Sequence, residues 1–332
     1  MSVGLRMMAT HLPGRATLAD LPELAELGAA ERAACLALGI ERVAVGPGLS
    51  AVDLAARAGR QVLAAAGLGP ERLDGLVLIE SRAPETFSTS EATRLQRLLG
   101  ADRAWAFSVG GLGCASVVPA LLAAAGRLAT DPSAAHILVA HGSKPVTVRR
   151  YRHPVTINGD SGQAVLVCRD GPLRVRDILL ETSGAYWDLF HVDYRGRAPE
   201  QWREECTDIP TYAFRLAVES RKRIAALTRR LLERNGLDRD AVSCYVGQNL
   251  STAAHRIVAE SLDVKLSGAC ADNLRDNGHL GPNDALFNLA TAVDRGELPE
   301  GGLAVVLNMS PAAAWSAMLV EHGAREGGAV CL

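Results

Sequence analysis

Cys114 and His279 are the two side chains of this sequence whose surroundings best suit covalent chemistry. Cys114 follows Gly110-Gly111-Leu112-Gly113 and precedes the apolar stretch ASVVPALLAAAGRL, so it stands at a sharp turn into a helix. There the backbone N–H groups and the positive end of the helix dipole favour the thiolate, the form of cysteine that attacks. The placement suits nucleophilic catalysis. His279 occupies a similar turn in NGHLGPND. An imidazole with an unperturbed pKa near ~6.5 can deprotonate an incoming hydroxyl or amine at neutral pH.

The elements that must bring these turns together can be read from the hydrophobic pattern. Apolar strands at 76–80, 104–109, 136–140, 164–168, 243–246 and 303–307 alternate with helix-length stretches, the pattern of an α/β protein whose sheet is covered on both faces. Residues 55–81 run helix, Gly-Leu stop, short charged turn and strand, and residues 222–248 repeat that order. Further along, GLGCASVVPALLAAAGRL leads to HILVAHG, and DNGHLGPNDALFNLATAVDRGEL leads to LAVVLNM. The sequence therefore reads as two duplicated halves, 1–173 with Cys114 and 174–332 with His279, whose glycine-bounded turns offer two facing helix starts. The irregular stretch 180–210, rich in Tyr, Trp and charge, is a surface insertion or the wall of a substrate pocket.

With 332 residues, 48% hydrophobic and only 4% aromatic, the chain has enough apolar side chains, mostly small, for two packed cores. A net charge of -2 gives no overall field to draw it to nucleic acid or to an anionic bilayer. No run of about 18 apolar residues suggests a membrane span, and the N-terminal MSVGLRMMATHLPGR lacks the basic-then-apolar design of a secretory signal, so a cytoplasmic protein is expected. The seven cysteines (Cys35, Cys114, Cys168, Cys206, Cys244, Cys270 and Cys331) show no CxxC spacing, which argues against a zinc site or a disulfide framework. Apart from Cys114 they read as small core residues.

Five segments, in this order and across nearly the whole chain, carry a family resemblance: LGIER at 38–42, FSTSEATRLQRLLG from Phe87, AFSVGGLGCAS around Cys114, NGDSGQAVLV from Asn158, and NGHLGPND around His279. They resemble β-ketoacyl-acyl-carrier-protein synthase III and its acyltransferase relatives, of the thiolase superfamily. The resemblance implies a five-layered αβαβα fold, a homodimer, and an active site where the halves join. It also implies an acyl-CoA or acyl carrier protein donor whose pantetheine arm reaches Cys114, with no other cofactor. Arg149, Arg150 and Arg152, the densest positive cluster, are then either a solvated loop or a contact for CoA phosphates or an acidic carrier protein. Phe87 becomes a dimer-interface or acyl-pocket residue, and Asp160 part of a structural turn.

Three departures from the family pattern bear on the reaction. Condensing members usually have Asn where this chain has His279, and a His where it has Gln248, with Asn249 beside it. Decarboxylative condensation uses two neutral donors on a thioester oxygen, whereas acyl transfer needs a nucleophile and a base. Cys114 with His279, and Gln248 or Asn249 as an orienting group, therefore points to acyl transfer onto a hydroxyl or amine of a small-molecule acceptor in specialised metabolism. The alternatives are a condensing synthase that uses malonyl-carrier protein and a catalytically silent partner subunit. His255, two helical turns beyond Gln248, and His141, at a strand end, are candidates for a displaced dyad His. The glycine-rich loop that supplies an oxyanion N–H in the family reads NMSPAAAW here. In the family the backbone N–H of the nucleophilic Cys, here Cys114, also helps hold the oxyanion. Pro311 has no N–H, so the second donor is expected from a neighbour such as Ala312, unless the loop runs differently.

Overall fold

The computed structural model describes residues 3–323, and Cys331 lies outside them. The first half runs through β1 (Val3–His11), β2 (Gly14–Thr17), α1 (Ala29–Leu36), β3 (Arg42–Val45), α2 (Ala51–Ala65), β4 (Gly75–Ile79), α3 (Glu91–Leu99), β5 (Trp105–Val109), α4 (Val117–Thr130), β6 (Ile137–Ser143), β7 (Tyr151–Arg152), β8 (Thr156–Ile157) and β9 (Ser161–Cys168). The second runs through β10 (Leu173–Thr182), β11 (Phe190–Val192), β12 (Glu204–Cys206), α5 (Ala217–Arg234), β13 (Cys244–Val246), α6 (Thr252–Leu262), α7 (Gly268–Asn277), α8 (Asn283–Asp294), β14 (Leu303–Ser310) and β15 (Ala314–His322).

Nine strands form one sheet in the order β13-β14-β15-β10-β1-β9-β6-β4-β5. The halves meet where β1 pairs with β10. Outward from that seam each half repeats one plan: two antiparallel pairings, β1–β9 and β9–β6 or β10–β15 and β15–β14, then a parallel one, β6–β4 or β14–β13. The internal repeat in the sequence is thus a repeat in topology.

Strand alternation sorts the side chains into layers. Val77 and Ile79 of β4 point into a central core with Val117, Val118 and Leu121 of α4 and Leu286 and Leu289 of α8, and Val246, Val306 and Met318 of the second half enter it from the other side. Leu76 and Leu78 point the opposite way, against α2 and α3. Val305, Trp315 and Leu319 face α5 and α6. The stack is α2/α3, the strands of the first half, α4/α8, the strands of the second half, α5/α6, a five-layered αβαβα fold.

The strands next to the helices fall where the hydrophobic pattern predicts them, whereas β1, β10 and β15, in the middle of the sheet, are not among the predicted strands. Contrary to the expectation of no long apolar run, Gly113–Thr130 is apolar enough over 18 residues to cross a membrane by length and composition. That stretch is the core helix between the strands of the two halves, which explains its hydropathy.

Candidate active site

α4 does not start at Cys114. A 3-10 turn, Gly113–Ser116, precedes it, and Cys114 is the second residue of that turn. The turn's first bond runs from Ala115 N–H to Leu112 O at 3.1 Å, so the Cys114 N–H falls among the groups that a helix start leaves unpaired. His279 lies between α7 and α8. Its N–H donates to Ile157 O and its carbonyl accepts from Gly159 N–H, both at 2.8 Å, which ties its backbone to the end of β8.

The two turns meet. His279 Nε2 is 3.0 Å from Cys114 Sγ, and His279 Nδ1 donates to Asp284 Oδ2 at 2.5 Å. Asp284, in the first turn of α8, also accepts from Leu280 N–H (2.8 Å) and Asn249 N–H (3.0 Å). All three side chains are buried, at 1%, 0% and 0% exposure for Cys114, His279 and Asp284. A carboxylate holding the far ring nitrogen of a histidine that faces a nucleophile is the geometry of an acyl-transfer triad.

The electrostatics of the pair are reciprocal. Burial alone would disfavour the Cys114 thiolate, but the charge and hydrogen bond of His279, helped by the Arg82 guanidinium, outweigh it and hold the thiol below its ordinary range. Burial likewise disfavours the imidazolium of His279, yet Cys114 and Asp284 push it up to about 10. The arrangement favours the thiolate of Cys114 and the imidazolium of His279 together, with the Asp284 carboxylate orienting the ring.

Cys114 opens onto a cavity of about 590 Å³ whose wall includes Arg82, His141, Trp187, Tyr194, Glu204 and Ser310. The 180–210 stretch therefore builds the wall of this cavity, partly through the β11–β12 pair. Phe87 also lines the cavity and stacks on Tyr194 with ring centroids 6.3 Å apart. His141 donates from Nδ1 to Ile79 O at 2.9 Å, and burial drives its pKa down to about 4. It is neutral and presents Nε2 as an acceptor.

Several expected residues are placed elsewhere. Gln248 does not reach Cys114, because its Oε1 accepts from Met309 N–H at 2.6 Å and pins the end of β14. Asn249 serves through its backbone bond to Asp284, while its Oδ1 accepts from Asn288 at 2.7 Å. His255 donates to Gln248 O (2.6 Å) and is not a displaced dyad His. The arginine cluster is divided. Arg149 pairs with Glu26, and Arg150 makes two bonds, 2.7 and 3.1 Å, to the buried Asp160. Both guanidiniums thus hold a carboxylate in this structure. Arg152 alone lines the cavity, with its Nε 2.7 Å from Glu204 in a charge contact that lacks hydrogen-bond alignment. The Ala312 N–H is taken by Ser310 Oγ at 3.2 Å, so it is not a free oxyanion donor.

No family model matches the sequence. Over 288 residues, covering 82% of this chain and 84% of the relative, it is 30% identical to a β-ketoacyl-acyl-carrier-protein synthase III of Cereibacter sphaeroides. The chain belongs to the β-ketoacyl-acyl-carrier-protein synthase III family. A synthase III of Ruegeria is 28% identical over 276 residues, 81% of this chain and 83% of that relative. Among solved structures, the acyltransferase ChlB3 superposes with a TM-score of 0.82 at 20% identity, covering 97% of this chain and 98% of its own. The 3-oxoacyl-carrier-protein synthase III of Aquifex aeolicus superposes with a TM-score of 0.80 at 20% identity, covering 96% and 99%. This member of the synthase III family is thus a thiolase-fold enzyme of the acyl-transferring and condensing kind.

Asp284 is the triad member that the sequence does not single out. An Asp in the first turn of a helix is ordinarily read as complementing the dipole, and only its spacing of five residues from His279 hinted at more.

Proposed function

We propose that the enzyme transfers an acyl group from a CoA or acyl carrier protein thioester, through acyl-Cys114, to a hydroxyl or amine of a small molecule in specialised biosynthesis. One observation carries the reading: His279 is bound on one side to Cys114 and on the other to Asp284. Such a histidine can take and return a proton. Condensation asks instead for neutral donors around an enolate-like oxygen, a task to which a carboxylate-bound imidazolium is poorly matched.

In the first half-reaction the thiolate attacks the thioester carbonyl, and the departing pantetheine sulfur takes the proton of His279. Acylation removes the thiolate, which heads the influences that raise the His279 pKa. The imidazole then becomes a base able to deprotonate the acceptor as it attacks acyl-Cys114. The acceptor would enter along the 590 Å³ cavity, where the neutral Nε2 of His141 can accept from it. The reading includes a cytoplasmic homodimer, for which β5 offers a sheet edge with Phe107 exposed. A silent subunit would have no use for a complete proton relay beside a buried thiol.

The test is intact-protein mass after incubation with acetyl-, propionyl-, malonyl- and hexanoyl-CoA and the matching acyl carrier proteins, for the native chain and Cys114→Ala. An acyl mass on the native protein alone, chased onto an alcohol or amine as ester or amide, supports transfer. Carbon dioxide released from malonyl-carrier protein with a 3-oxoacyl product would establish condensation instead, and no adduct from any donor would favour the silent subunit.

A further inference from the structure

A tetrahedral intermediate on Cys114 needs donors for its oxyanion, and the loop from β14 to β15 has few to offer. Pro311 has no N–H. The next two N–H groups are already committed, Ala312 to Ser310 Oγ (3.2 Å) and Ala313 to Ser310 O (2.9 Å). What this loop brings to the cavity instead is the hydroxyl of Ser310, a residue 4% exposed that lines the same wall as Cys114.

Its position is defined by Gly113, the residue before the nucleophile. A Cβ on Gly113 would come within 2.7 Å of Ser310 Oγ, and Gly113 has a φ of +53°. Glycine is therefore required twice there, for the left-handed turn and for the room the hydroxyl occupies. The bond accepted from Ala312 N–H holds the Ser310 side chain in place. Its own hydrogen meets no acceptor among the described residues, although buried hydroxyls ordinarily find one. An oxygen that turns negative next to Cys114 would supply that acceptor.

We propose that Ser310 is a catalytic residue whose hydroxyl, with the backbone N–H of Cys114, forms the oxyanion hole for the acyl transfer described above, on which this inference rests. As the thiolate forms its bond to the carbonyl carbon, the π pair moves onto the oxygen, and Ser310 Oγ–H and Cys114 N–H donate to it without giving up their hydrogens. The pair returns to the carbonyl as the bond to the pantetheine sulfur breaks, and that sulfur takes its proton from His279. The hydroxyl replaces a backbone donor that Pro311 removes.

The experiment measures the rate of Cys114 acylation by quenched-flow intact mass, using whichever of the four acyl-CoA donors above labels the native chain fastest. Ser310→Ala and Ser310→Thr are compared with the native protein, together with the affinity of each for a non-transferable thioether analogue of that acyl-CoA. Ser310→Ala is expected to acylate about 100-fold more slowly with analogue affinity unchanged, and Ser310→Thr to recover most of the rate. Acylation of Ser310→Ala at the native rate would overturn the assignment, as would a rate loss matched by an equal loss of analogue affinity or one that Thr does not relieve. A native chain that takes no acyl group would overturn the transfer reading itself, an outcome distinct from a native adduct with an undiminished Ser310→Ala.

Discussion

Cys114 and His279 each favour the charged form of the other, and the pH response of the site follows from that dependence. With the thiol held below its ordinary value of 9.0 and the imidazole pushed up to about 10, the ion pair forms as pH rises through the lowered thiol pKa. It is lost again when His279 deprotonates. Alkylation of Cys114 by iodoacetamide should therefore reach half its plateau below pH 9.0, and His279→Asn should move that midpoint upward, because burial then acts without the cation. An unmoved midpoint would count against the pair. Asp284 accepts three hydrogen bonds, one of which fixes the ring of His279. Asp284→Asn places an amide N–H against donors, so acyl-transfer turnover should fall by about 10³- to 10⁴-fold while the fold persists, measured by steady-state kinetics beside a circular dichroism melt. Cys114 and His279 were legible because each sits in a glycine-bounded turn. Asp284 was hidden because an acid at a helix start has an ordinary explanation, and Gln248 misled because a side chain's partner, here Met309 N–H, is not written in its neighbours.

The elements that carry these residues depend on helices lying very close to the sheet. At Gly142 in β6, a Cβ would come within 1.7 Å of Ala51 O, at the first residue of α2. The start of α2 is held by a capping box between Ser50 and Asp53, so the helix cannot easily yield. Gly142→Ala should cost about 1–3 kcal/mol or more of stability, read from urea unfolding; a variant as stable as the native chain would show that the approach is looser. Strands next to helices were legible because an apolar run bounded by turns, followed by a helix period, is a local signal. β1, β10 and β15 were not. β9 leads into β10, and β14 into β15, with no helix between, so the alternation that reveals the other strands is missing there.

At the scale of the molecule, the two halves share their middle. α4 from the first half and α8 from the second pack into one core between the strands of the two halves, so neither half can open without exposing apolar surface of the other. Calorimetry should show a single unfolding transition with matching van't Hoff and calorimetric enthalpies, and two separated transitions would mean that the halves keep independent cores. By itself the sequence determined the duplication, the α/β alternation and the two glycine-bounded turns, because each is encoded in residues a few positions apart. Only the tertiary structure decided that Cys114 and His279, 165 positions apart, meet at 3.0 Å. The same holds for Asp284 rather than Gln248 completing the site, and for Arg152 alone of its cluster reaching the cavity. Those outcomes depend on how distant elements pack, and a buried polar group takes whichever partner that packing brings within hydrogen-bonding reach.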